Sequence, residues 1–93
     1  MIKHLDIVIT GKVQGVGFRQ ATKMVANQLS VMGTVKNQKD GSVAIEAEAD
    51  GAILELFLDF FNEGPDYAQI ESLESHEGEV KNYRNFEILR RGL

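Results

Sequence analysis

Two short segments of this chain carry residue types suited to phosphate chemistry. In Gly11-Lys-Val-Gln-Gly-Val-Gly-Phe-Arg19, glycines at 15 and 17 alternate with Val16 and Phe18 and lead into an arginine. Glycine accepts backbone angles closed to other residues, so the amides from Gln14 to Phe18 can converge on one anion. Where such a turn opens a helix, the free N–H groups of the first turn and the positive end of the helix add to the donors. Arg19 contributes a planar, permanently charged fork matched to two phosphate oxygens. The Gln14 carboxamide can serve either the turn or the ligand. In the second segment, Gly33-Thr-Val-Lys-Asn37, the Asn37 carboxamide can accept a hydrogen bond from water while donating elsewhere. It would thereby orient a nucleophile without a titrating base. Placing this segment beside the first strand of a sheet would bring Asn37 toward the glycine turn.

Spacing alone leaves other readings open. The first segment lacks the Gly-Lys-Ser/Thr ending of a nucleotide-triphosphate loop, and position 20 is Gln where a dinucleotide fingerprint has its third glycine. The same glycines suit an ordinary strand-to-helix turn with Arg19 in solvent, and Asn37 suits a hairpin residue bonding its own backbone. Lys12 and Lys36 can steer an anion or simply be solvated. His4 and His76 stand apart without a ligand cluster in sequence, which assigns both to packing or surface roles. Asp50, Glu55 and Asp59 fit a helix cap and a solvated helix face better than a divalent metal site. The absence of cysteine excludes disulfides, thiol catalysis and cysteine-ligated metals.

The elements that must position these residues follow from periodicity. Leu5, Ile7 and Ile9 alternate with Asp6, Val8 and Thr10 as a strand. Phe18, Ala21, Met24, Val25, Leu29 and Met32 recur at helical spacing, and Gly33 reads as the stop of that helix. Residues 34–38 and 42–48 form two strands joined by a hairpin carrying Asp40-Gly41. Asp50 reads as the cap of a second helix whose apolar face is Ile53, Leu56, Phe57, Phe60 and Phe61, ended by Gly64-Pro65. A more polar strand with room for a bend spans 67–77, and Phe86 and Ile88 suggest a short last one. The order predicts an α+β, ferredoxin-like βαββαβ sandwich with two helices on one face of an antiparallel sheet, and a short fifth strand as a further option.

With 93 residues and 43% apolar content, the chain is one packed domain over 1–93. A formal charge of −4 disfavours nonspecific binding to nucleic acid or anionic lipid. The N-terminal residues lack a secretory pattern, and the apolar stretches are too short to span a bilayer. The expectation is a cytoplasmic monomer with neither membrane nor nucleic-acid partner.

Taken together, Gly11–Arg19, Gly33–Asn37 with Asp40-Gly41-Ser42-Val43, and Gly64-Pro65 followed by Ala68 resemble the acylphosphatase family in order and spacing along essentially the whole chain. The resemblance implies hydrolysis of a small carboxyl-phosphate mixed anhydride, an acylphosphate, to carboxylate and inorganic phosphate. It matches Arg19 to the arginine that holds the phosphoryl group, Asn37 to the asparagine that positions attacking water, and the backbone of Gln14, Gly15, Val16, Gly17 and Phe18 to the phosphate cradle. It implies no metal, cofactor or covalent intermediate, with the substrate itself helping to take the water proton. Thr34 departs from the pattern, since relatives commonly carry an aromatic after the glycine. Two other functions share these features: a noncatalytic anion-binding or protein-interaction domain, and an RNA-binding module of the same architecture. Fold alone does not choose among them.

Overall fold

The computed structural model describes residues 1–64 and 68–90. Alternation at period two builds β1 (Ile2–Lys12), where Ile7 and Ile9 are fully buried on one side and Asp6, Val8 and Thr10 face the other way. The chain continues as α1 (Phe18–Leu29), β2 (Met32–Asn37), β3 (Val43–Asp50), α2 (Gly51–Glu63), β4 (Gln69–Gly78) and β5 (Phe86–Leu89). The strands make one open five-stranded sheet in the order β4-β1-β3-β2-β5. Every pairing is antiparallel except the last, where β5 runs parallel to β2 with Val35 beside Ile88. This is the expected ferredoxin-like βαββαβ sandwich, with β5 as its extra strand. The anticipated bend in the fourth strand is a bulge against β1: Thr10 pairs with Ser72 and Gly11 with Ile70, which leaves Glu71 as an extra residue of β4.

α1 packs on β2 and β5, α2 packs on β3 and β4, and the two helices touch each other. The core between them and the sheet is Ile7, Ile9, Val35, Ile45, Phe57, Phe61 and Phe86, with Phe18 tilted against Phe61 at 5.7 Å. The helix faces differ from the periodicity reading. In α1 the buried positions are Phe18, Thr22 and Ala26, while Met24 is exposed. Thr22 enters the core because its hydroxyl donates to the Phe18 carbonyl at 2.8 Å, so no polar group is left unpaired. In α2, Leu54 is buried and Leu56 is exposed.

Gly33 does not end α1. The helix stops at Leu29 because Ser30 adopts a left-handed conformation (φ 61°) and its N–H bonds to the Asn27 carbonyl. Gly33 lies inside β2, where a Cβ would stand 1.8 Å from the Glu46 carbonyl oxygen. It is therefore a close-approach glycine rather than a helix stop. Asp50 occupies the N-cap position of α2 without a side-chain cap bond. Its carboxylate instead accepts from the N-terminal ammonium at 2.8 Å. Pro65, Tyr67 and the start of the 67–77 strand reading fall outside the described residues.

The helix-free face of the sheet carries a polar network under the segment joining β4 to β5. Glu48, only 3% exposed, accepts from the backbone N–H groups of Lys81 and Tyr83 at 2.5 and 3.0 Å and from His4 Nδ1 at 2.7 Å. Burial by itself would raise the Glu48 pKa, but these donors outweigh it and hold the carboxyl below 4.5. Glu48→Ala leaves two backbone amides and an imidazole without their acceptor. It is expected to cost about 3 kcal/mol, read as a lower urea midpoint with the slope unchanged.

Candidate active site

β1 leaves the sheet after Lys12, buries Val13, and turns through Gln14–Gly17 into α1. Gly15 and Gly17 sit at φ 76° and 80°, angles that L side chains rarely adopt, and this is the backbone path the cradle requires. Gly17 is the N-cap of α1, and no side chain caps the helix. Its carbonyl accepts the first helical bond from Ala21 at 3.1 Å. The first-turn amides therefore lack a capping side chain, and no acidic residue stands in that turn. Such an end presents donors and partial positive charge to an anion.

Asn37, at the end of β2, does not lie on the strand next to β1, because β3 runs between them: Ile9 and Asn37 both pair with Val43. The glycine turn reaches across β3 instead, and Gln14 makes the connection. Its Nε2 donates to the carbonyls of Gln38 and Ser42, each at 2.8 Å. The Gln14 side chain is thus committed to the turn, leaving only its backbone for the cradle. The 38–42 loop is shaped in turn by Asp40, whose Oδ1 accepts from the backbone N–H and hydroxyl of Ser42 at 2.9 and 2.6 Å.

The result is a cavity of about 110 Å³ lined by Val13, Gly15, Gly17, Phe18, Arg19, Gln20, Asn37 and Ile88. Of the residues singled out in the sequence, Gly15, Gly17, Phe18, Arg19 and Asn37 meet here, while Gln14 and Val16 contribute to the turn without forming its wall. Arg19 makes no ion pair among the described residues. Asn37 Oδ1 is buried and has no hydrogen-bond partner among them. An unpaired buried carbonyl costs about 1–3 kcal/mol, and this one belongs to a residue that lines the cavity together with Arg19 and the uncapped start of α1. The arrangement can hold a tetrahedral oxyanion beside a hydrogen-bonded donor molecule. Val13, Gln20 and Ile88 had no assigned role in the sequence. Gln20 follows Arg19 directly, whereas Ile88 arrives only through the parallel pairing of β5.

The Ser42 hydroxyl and amide hold the Asp40 carboxyl below its ordinary 3.8. A depressed carboxyl stabilises the fold above its ordinary value and loses that contribution as the pH falls through the depressed one. Slow amide exchange at Ser42 is therefore expected to persist at pH 5 and to fail well below 3.8, and Asp40→Ala should abolish it at both. Gln14→Leu should destabilise the fold by about 1–2 kcal/mol and accelerate exchange across residues 38–42, measured by hydrogen-exchange NMR.

Residues 5–88 match the family model described as Acylphosphatase. The chain is 48% identical over 88 residues to an acylphosphatase of Lactiplantibacillus plantarum, covering 94% of this chain and 98% of that one. It is 42% identical over 84 residues to an acylphosphatase of Archaeoglobus fulgidus, covering 90% and 94%. The crystal structure of acylphosphatase from Bacillus subtilis superposes with a TM-score of 0.89 at 31% identity, over 96% of this chain and 99% of that one.

Proposed function

This chain belongs to the acylphosphatase family and hydrolyses acylphosphates, and from that premise we propose how its residues divide the work. The backbone of Gln14–Phe18 and the Arg19 guanidinium bind the phosphoryl oxygens, and Asn37 orients the attacking water. The observation that carries this reading is that Asn37, whose buried Oδ1 has no partner among the described residues, lines the same cavity as Arg19 and the uncapped start of α1.

Water held by Asn37 Oδ1 has its lone pair available for phosphorus while one proton is engaged. As the new O–P bond forms, the bond from phosphorus to the acyl oxygen breaks and the carboxylate leaves with the electron pair. A carboxylate is a stable leaving group, so no protein acid has to protonate it. Charge on the equatorial oxygens is met by Arg19 and the turn amides, which are fixed before reaction and need little reorganisation. No histidine lines the cavity, and the proton of the attacking water passes to a phosphoryl oxygen of the substrate.

The substrate is a small soluble acylphosphate and the products are a carboxylate and inorganic phosphate. The net charge of −4 argues against an extended polyanion such as RNA. Among the described residues no helix is long and apolar enough to cross a membrane.

Phosphate release from benzoyl phosphate, measured with a chelator present and folding checked by circular dichroism, tests the assignment. Arg19→Ala should lower kcat/KM by about 10²–10³, and Arg19→Lys should recover little of it because an ammonium cannot grip two oxygens in one plane. Asn37→Ala should lower kcat by about 10² with a smaller change in KM. Folded variants that keep wild-type turnover would remove both residues from the mechanism. Phosphate binding without turnover by the wild type would leave an anion-binding domain.

A further inference from the structure

His4 and His76 look unconnected in the sequence, yet the sheet brings both beside Asp6. His4 lies two residues before Asp6 on the same face of β1, and His76 of β4 stands directly opposite Asp6 in the register. Glu46 of β3 pairs with Asp6 from the other side. Residues opposite each other in an antiparallel pair project to the same face, so four metal-ligating side chains share one patch of the helix-free surface.

The geometry around His4 is specific. The ring is 1% exposed, and its Nδ1 lies 2.7 Å from Glu48 Oε2. Glu48 is ionised and held by two backbone amides, so it can only accept, and Nδ1 must carry the proton of that bond. The other nitrogen, Nε2, is 3.1 Å from Asp6 Oδ1 and 3.5 Å from Glu46 Oε1. A protonated ring donates its Nε2–H to these carboxylates; on a neutral ring the Nε2 lone pair points at them, and a cation seated there takes the place of that proton. The three ligand atoms lie within 4.8 Å of one another, a spread that one ion can draw together.

We propose that His4 Nε2, Asp6 and Glu46 form a binding site for a divalent transition metal ion of the zinc class on the helix-free face of the sheet. An imidazole whose far nitrogen is oriented by a carboxylate, together with two carboxylate oxygens, is a donor set that suits zinc or cobalt. It is poorly matched to magnesium and calcium, which take all-oxygen shells. Lys81 Nζ now holds Glu46 Oε1 at 2.6 Å and is the group the ion displaces. It is more than half exposed on a flexible stem, and such surface pairs are worth only about 0–1 kcal/mol. The remaining coordination position is open to water or to His76. Measured along β1 from His4 to Val13, the site is about 30 Å from the phosphate cavity. Its occupancy is therefore separable from catalysis.

The test uses the full, untagged chain, stripped of metal, at pH 7.5. Titration with Zn²⁺ by calorimetry should give one ion per chain and a rise in Tm, Co²⁺ should give a visible d–d absorption band, and Mg²⁺ should do neither. Asp6→Asn and Glu46→Gln are near-isosteric changes at an exposed and a partly buried side chain and leave the buried His4–Glu48 pair in place, so both should fold. Each should weaken zinc binding at least tenfold while leaving benzoyl phosphate hydrolysis unchanged. A wild type that neither binds zinc nor gains Tm, or zinc binding that is equal in wild type and both variants, would overturn the proposal.

Discussion

The Gln14 carboxamide holds the two halves of the catalytic cavity together. The phosphate cradle hangs from β1 and Asn37 from β2, and β3 lies between these strands, so neither sheet pairing nor sequence proximity brings them into contact. Two hydrogen bonds of 2.8 Å from Gln14 Nε2 to the Gln38 and Ser42 carbonyls carry the turn over β3 and fix it to the hairpin that follows Asn37. Each bond is worth about 1 kcal/mol of stability, but their geometric effect is larger. They fix the distance between the groups that bind phosphorus and the group that aims water at it, and errors of about 1 Å in that distance can cost 10²-fold in rate.

The two faces of the sheet treat polar groups in opposite ways. On the helix-free face, Glu48 is buried with three donors around it, and the segment joining β4 to β5 is secured by that satisfaction. Securing it also secures β5, whose Gly33–Asn85 backbone bond and parallel register with β2 bring Ile88 to the cavity wall. On the helix side, α1 starts without a side-chain cap and Asn37 Oδ1 has no partner among the described residues. The folded chain therefore carries unspent hydrogen-bonding capacity at the one place where a charged phosphoryl group and a water must be held. Preorganised donors that need no rearrangement are the main source of stabilisation when charge develops on a transferring phosphoryl group.

Much of this was legible in the residues. Alternation in β1, the Asp-Gly hairpin and the glycine-Arg segment specify strand, turn and helix start through local chemistry, and the cradle residues are contiguous. Sequence reading failed where tertiary contacts decide. Ser30 ends α1 although Gly33 is the better helix stop, because Gly33 is needed where β2 meets the Glu46 backbone. Thr22 replaces an apolar residue in the core by bonding its own helix, an exchange that periodicity does not register. The neighbourhoods of Asn37, Ile88 and His4 depend on strand order and register, which no local pattern encodes. The resemblance could link Asn37 to the cradle, but not reveal that Gln14 spans an intervening strand to make the link.

The most direct test of the central claim, that one cavity holds phosphate against the 14–19 turn beside Asn37, is a titration of the isotopically labelled chain with inorganic phosphate followed by NMR. The backbone amides of Gly15 to Arg19, the Arg19 guanidinium and the Asn37 side-chain amide should shift together, with one common dissociation constant. Phosphate that shifts resonances elsewhere while leaving the turn and Asn37 unmoved would contradict it.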